Sequence, residues 1–114
     1  MSEVSIGRLE THPTTGELED LFALARQLYG LSLSRSEHEV NVATILDSPD
    51  RWLFVARADR IVGQLVCQKT VEPGVRYGLI GGVVVDESMR GRGGGKWFDR
   101  DGYMSGATNG YLAL

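Results

Sequence analysis

The sequence predicts one α/β (α+β) domain over residues 1–114, with element order β-α-α-β-β-β-α-β. Three observations carry this reading. Two stretches place apolar residues at helical spacing behind capping residues. Three β-prone runs follow within residues 52–85, parted by Asp59-Arg60 and by Pro73-Gly74. The last of them, ending Val83-Val84-Val85, leads through a polar turn into Arg90-Gly91-Arg92-Gly93-Gly94-Gly95-Lys96.

Each element has its local reason. Val4, Ile6 and Leu9 alternate with Ser5 and Arg8, which predicts a first strand that Thr11-His12-Pro13 breaks. Thr14 and Glu17 stand at capping-box spacing, and Leu18, Leu21, Phe22, Ala25, Leu28 and Tyr29 follow on one helical face. Acidic residues in the first turns and Arg26 near the end suit the helix dipole, and Gly30 ends the helix. Ser36 and Glu39 repeat the capping spacing, and Val40, Ala43 and Leu46 predict a shorter second helix that stops at Asp47-Ser48-Pro49-Asp50. Residues 52–58 and 61–70 read as a hairpin, and residues 77–85 as a fourth strand in which Gly78, Gly81 and Gly82 mark a bulge or a close approach. A helix is expected from Gly95 to Asn109, although Gly102 and Gly106 each disfavour it by about 1 kcal/mol relative to Ala. Residues 111–114 begin a fifth strand.

Composition narrows the class. The chain has 42% hydrophobic and 24% charged residues, a globular rather than a disordered balance. No apolar run approaches the ~20 residues of a membrane span, and the N-terminus lacks the basic and apolar regions of a secretory signal. One cysteine, Cys67, allows no intrachain disulfide, and with two histidines it forms no metal pattern. A cytoplasmic location without metal is the expectation. The net charge of −3 argues against general nucleic-acid binding.

The glycine-basic loop carries the functional signal. Glycines let main-chain N–H groups turn toward a bound group, and a helix start adds free N–H groups and the positive end of a dipole. Strand, such a loop and helix start together make a seat for phosphate oxygens. The P-loop pattern fails, because Arg90 occupies its first glycine position and Trp97 its Ser/Thr position. The dinucleotide fingerprint fails because Lys96 occupies its third glycine position. A solvated loop or a single RGG-like RNA contact is the bland alternative.

Arg90-Gly91-Arg92-Gly93-Gly94-Gly95 matches (Q/R)-x-x-G-x-(G/A) behind a valine strand, and in this it resembles the acetyl-CoA motif of the GNAT superfamily of acetyltransferases. The stretch from Phe54 to Gly63 resembles that family's central hairpin, and Gly110 to Leu114 its fifth strand, so the resemblance covers essentially the whole chain. It implies a GNAT-like (acyl-CoA N-acyltransferase) fold with a mixed central sheet, ending after the fifth strand without the family's C-terminal half. It further implies acetyl transfer from acetyl-CoA to a primary amine by direct attack in a ternary complex. Val83, Val84 and Val85 would align the pantetheine arm through their backbone, between fourth and fifth strands that splay apart. Arg90, Gly91, Arg92, Gly93, Gly94, Gly95 and Lys96 would hold the pyrophosphate.

Tyr29, Leu31 and Ser32 in the connector, with Gly81 and Gly82, would border the acceptor. Where many relatives place a glutamate base, this chain has Gly81, and the helix that often carries a tyrosine acid falls beyond Leu114. No catalytic residue is therefore assigned. The alternative is a shortened CoA-binding module without efficient turnover, completed by a partner subunit. An open fifth-strand edge invites pairing, so a homodimer is expected. Cys67 reads as a buried thiol, His12 and His38 as solvated, and Glu87 as loop surface.

Overall fold

The structure, a computed structural model, describes residues 4–89 and the backbone of residues 110–113. Within them β1 (Ser5–Arg8) is followed by α1 (Thr15–Tyr29), α2 (Arg35–Asp47), β2 (Arg51–Arg57), β3 (Ile61–Glu72) and β4 (Val75–Val85). A single 3-10 turn (Glu87–Met89) follows, and then β5 (Gly110–Ala113). The strands form one sheet in the order β1-β2-β3-β4-β5. The helix expected at 95–109 lies outside the described residues.

Strand direction needs one correction. All four described pairings are antiparallel, so the sheet is not mixed over these residues. The decisive pair is β4 with β5, where Tyr77 faces Ala113 and Ile80 faces Gly110. The chain re-enters the sheet at Ile80 and runs back along β4.

α1 begins as its spacing dictates. The Thr14 hydroxyl accepts from the Glu17 N–H at 3.2 Å, and the Glu17 carboxylate accepts from the Thr14 N–H at 2.9 Å. The same carboxylate meets Arg57 on β2, and these contacts hold its pKa below the usual value. α1 ends at Gly30, whose φ of 103° suits a residue without Cβ. Leu21, Phe22, Leu24 and Ala25 are buried on its inner face, while Leu28 and Tyr29 are exposed.

α2 starts earlier than its capping box predicts. Ser34, not Ser36, is the N-cap and accepts from the Glu37 N–H at 3.3 Å. The helix buries His38 and Val42, with Ile45 packed against the core, and leaves Val40 exposed. His38, Val42 and Ile45 share one face at i, i+4 and i+7, and Val40 lies half a turn away from it.

The core has two layers. On the helix side Leu9, Leu21, Leu24, Val42, Leu53, Val55, Ile61 and Val84 pack together. On the other face Ala56, Val62, Leu65, Cys67 and Ile80 form a second cluster, with Trp52, Phe54, Val83 and Val85 against it. Fully burying such a side chain contributes about 1.5–3 kcal/mol. Among the described residues no helix is long and apolar enough to cross a membrane.

Candidate functional site

β4 changes character at Gly81-Gly82. Val66 of β3 faces Gly81 and Gln64 faces Val84, so β4 carries one more residue than β3 between these pairs. This is a β-bulge, and Gly82 accommodates it with φ 61°. A Cβ at Gly82 would lie 3.5 Å from Tyr29 Oη and 3.6 Å from Val66 Cγ2. At Gly81 it would meet nothing within 4 Å. Among the described residues the register with β5 ends at Ile80, just before the bulge. The extra residue reverses the alternation, which sends Val84 to the helix-side core and Val83 and Val85 to the opposite cluster.

Beyond the bulge the strand ends in a polar clamp. Asp86 is buried, with 8% of its surface exposed. Its carboxylate accepts from Gln27 Nε2 at 2.7 Å, from an Arg60 Nη at 3.1 Å and from the Ser88 hydroxyl and N–H. Gln27 Oε1 accepts from the Glu87 N–H at 2.9 Å, and the Asp86 N–H donates to Val62 O at 2.8 Å. Burial alone would raise the Asp86 carboxyl; the hydrogen bonds from Ser88, Gln27 and Arg60 outweigh it and hold the group well below the usual carboxylate range. α1, the β2–β3 turn and the end of β4 are thus tied at one point.

A cavity of about 510 Å³ lies between α1, α2 and the helix-side face of β2 and β3. Its lining includes Tyr29, Leu33, His38, Asn41, Arg51, Leu53, Gln64 and Val66. Gln64 is buried and donates from Nε2 to Gly82 O at 3.3 Å, which ties the cavity wall to the bulge. His38 packs edge-on against Phe22 with ring centroids 5.4 Å apart. Burial lowers its pKa, opposed by the charge of Glu39, so the imidazole is neutral near pH 7.

The sequence-derived site residues fall unevenly. Val83, Val84, Val85, Gly81 and Gly82 sit at and beyond the bulge. Tyr29 is 63% exposed and lines the cavity; its hydroxyl is near Gly82. Leu31, 79% exposed, and Ser32 face solvent outside the cavity, and Leu33 is the connector residue that lines it. Arg90, Gly91, Arg92, Gly93, Gly94, Gly95 and Lys96 lie outside the described residues.

His38 corrects an expectation, being 8% exposed rather than solvated, because it sits on the inward face of α2. His12 is exposed and pairs with Asp47 at 3.2 Å, and Glu87 is exposed. Cys67 is buried, and burial pushes its thiol pKa up. Gln27, Arg60 and Gln64 carry no site motif in the sequence, since their partners lie far along the chain, and Arg51 is marked only by its place on the cavity wall. Asp86 has one near partner, Ser88, and its others are distant. Among the described residues no group of three or more His, Cys, Asp or Glu could hold a metal ion.

The model of the Acetyltransferase (GNAT) family matches residues 17–97, more than half of the chain. No curated protein matches the sequence. Among solved structures, the chain is similar to a GNAT family acetyltransferase of Staphylococcus aureus, at TM-score 0.71 and 19% identity, covering 100% of this chain and 94% of that one. It is similar to an acetyltransferase of Trypanosoma brucei, at TM-score 0.65 and 25% identity, covering 87% and 71%. It is also similar to the aminoglycoside N-acetyltransferase AAC(6')-Iy in complex with CoA, at TM-score 0.64 and 22% identity. That match covers 82% of this chain and 62% of the other, so the chain spans less than two thirds of that enzyme.

Proposed function

Since the chain belongs to the Acetyltransferase (GNAT) family, we propose that it transfers an acetyl group from acetyl-CoA to a primary amine. The observation that carries this reading is the Gly82 bulge. It interrupts β4 where the register with β5 ends among the described residues, beside a cavity and directly before the clamped strand end. The CoA complex of AAC(6')-Iy supports the choice of donor.

Each part then has a role. Asp86, Gln27 and Arg60 fix where the glycine-basic loop starts. The N–H groups of Gly91, Arg92, Gly93, Gly94, Gly95 and Lys96 bind the pyrophosphate, with Arg90 and Lys96 adding charge. The backbone of Val83, Val84 and Val85 aligns the pantetheine arm. The cavity holds the amine against Gly81 and Gly82.

Acetyl-CoA supplies the acetyl group as a thioester: the amine nitrogen forms the new C–N bond, the C–S bond breaks, and the thiolate leaves. A main-chain N–H at the end of β4 meets the developing negative charge on the carbonyl oxygen. The amine must first lose its proton. Gly81 offers no side chain, so ordered water carries that proton away and the thiolate takes one up. Holding amine and thioester together supplies much of the acceleration.

A second reading, a CoA-binding module with little turnover, is favoured by the lack of a carboxylate among the described cavity residues. Two assays separate the readings. Calorimetric titration with acetyl-CoA gives heat in both, and none at millimolar concentration refutes both. Release of free thiol in the presence of amines occurs only in the first. β5 ends the described sheet order, and a homodimer formed along that edge would appear as a dimer in sedimentation.

A further inference from the structure

The described lining of the cavity has an unusual charge balance for a site that takes an amine. It contains no aspartate and no glutamate; its one fully charged residue is Arg51, and His38 is neutral. Ala25, Leu33, Val42, Ile45, Leu53 and Val66 form its apolar wall, and Tyr29, Asn41, Thr44 and Gln64 add uncharged polar groups. A polycation entering here would find no counter-charge among these residues and would meet a guanidinium.

Arg35 pairs with Glu19, Arg57 with Glu17 and Arg60 with Asp86. Arg8 and Arg26 lie over the rings of Trp52 and Phe22. Arg51 has neither an ion pair nor a ring contact among the described residues, and it lines the cavity. It opens β2 beside the end of α2, two residues before Leu53 on the same face of the strand, so it stands at the rim above an apolar floor. A planar guanidinium in that position suits a carboxylate, which it can meet with two parallel hydrogen bonds. At the other end of the cavity, Gln64 and Tyr29 lie against Gly82, and the space beside Gly81 is open. An acceptor with an anionic group at one end, an apolar body and an amine at the other matches this sequence of surfaces.

We propose that the cavity takes a small amine with a carboxylate at its far end, an ω-amino-acid-like acceptor whose apolar chain separates the two groups and whose carboxylate sits on Arg51. The inference rests on the acetyltransferase reading for the fate of the amine, but not for its binding. A volume of about 510 Å³ lies within the usual range of small-molecule sites, roughly 300–1,000 Å³. The site discriminates by the group opposite the amine. Removing the carboxylate from the ligand, or the guanidinium from the protein, costs the same interaction.

The test is calorimetric titration of the whole chain with three probes: 6-aminohexanoate, pentylamine, which is 6-aminohexanoate without its carboxylate, and the polycationic aminoglycoside kanamycin. 6-Aminohexanoate is expected to bind about tenfold or more tightly than pentylamine, the scale of one charged hydrogen-bonding pair. Arg51→Ala should abolish that preference without weakening pentylamine, and Arg51→Lys should keep part of it. Arg51 is exposed, so an unchanged urea midpoint verifies that the variants fold.

Pentylamine or kanamycin binding as tightly as 6-aminohexanoate overturns the proposal. So does a 6-aminohexanoate preference that survives in Arg51→Ala, or an absence of heat with all three probes. Acetyl-CoA is titrated separately into the same samples. A 6-aminohexanoate preference without acetyl-CoA binding removes the transferase reading and keeps the site. Acetyl-CoA binding without the preference removes only the acceptor assignment.

Discussion

Asp86→Asn removes one charge where three parts of the chain converge, and its cost can be worked from the contacts. The carboxylate accepts from Gln27 at 2.7 Å and from Arg60 at 3.1 Å, and also from Ser88. An asparagine amide keeps one acceptor oxygen and presents an NH2 group to the other donors. A hydrogen bond to a charged group contributes about 1.5–3 kcal/mol, and a donor left facing another donor costs more. Arg60 is 44% exposed, so its share is under about 1 kcal/mol. The expected loss is about 2–3 kcal/mol at pH 7, a fall of roughly 10 °C or more in Tm for a domain of this size. Urea unfolding measures it, and a double-mutant cycle with Gln27→Ala should give coupling of about 1 kcal/mol.

The pH dependence supplies a second check on the same residue. Asp86 has a lower pKa folded than unfolded. Its ionised form therefore stabilises the fold fully above the unfolded value near 4, and that stability is lost as pH falls through the folded pKa. The gap between wild type and Asp86→Asn should narrow below about pH 4. A variant within about 0.5 kcal/mol of wild type at pH 7, or a gap that stays constant into acid, would refute the clamp.

Three further outcomes follow from the site. Gly81→Glu adds a side chain into open space beside Val66 and should change stability by less than about 1 kcal/mol. It restores a carboxylate near the amine and should speed acetylation about tenfold or more, read as thiol release; a stable variant with no gain would contradict the placing of the amine. Gly82→Ala forces a Cβ onto a φ of 61° and should cost about 1–2 kcal/mol in urea unfolding, whereas Gly81→Ala should be neutral. His38 has a lowered pKa, so below about pH 6.5 the unfolded chain takes up its proton first and the fold loses stability. That slope between pH 7.5 and 5.5 should be absent in His38→Gln, and its persistence would place the titration elsewhere.

The features legible in the sequence are those fixed by neighbours in the chain. Thr14 and Glu17 announce the start of α1 because both capping bonds span three residues. Pro73-Gly74 and Asp59-Arg60 announce the hairpins for the same reason, and the Gly81-Gly82 pair marks the bulge because one backbone position there needs a positive φ. α2 was harder to place. Ser34 and Ser36 both have capping chemistry, and tertiary packing selects the face bearing His38, Val42 and Ile45 over the one bearing Val40.

The clamp is illegible, since Gln27 and Arg60 stand 59 and 26 residues from Asp86 in the chain and meet it only when α1, a turn and β4 come together. Arg51 was illegible likewise: nothing in its neighbours reveals that it rims a cavity without carboxylates among the described lining. Strand direction depends on where the chain re-enters the sheet, which local pattern does not encode.

A crystal structure with acetyl-CoA bound tests the central claim most directly. The pyrophosphate should lie against the main-chain N–H groups of residues 91–96, with the thioester beside Val83, Val84 and Val85 and its acetyl group facing Gly81 and Gly82. Pyrophosphate bound elsewhere on the molecule, with that loop making no contact to it, would contradict the account.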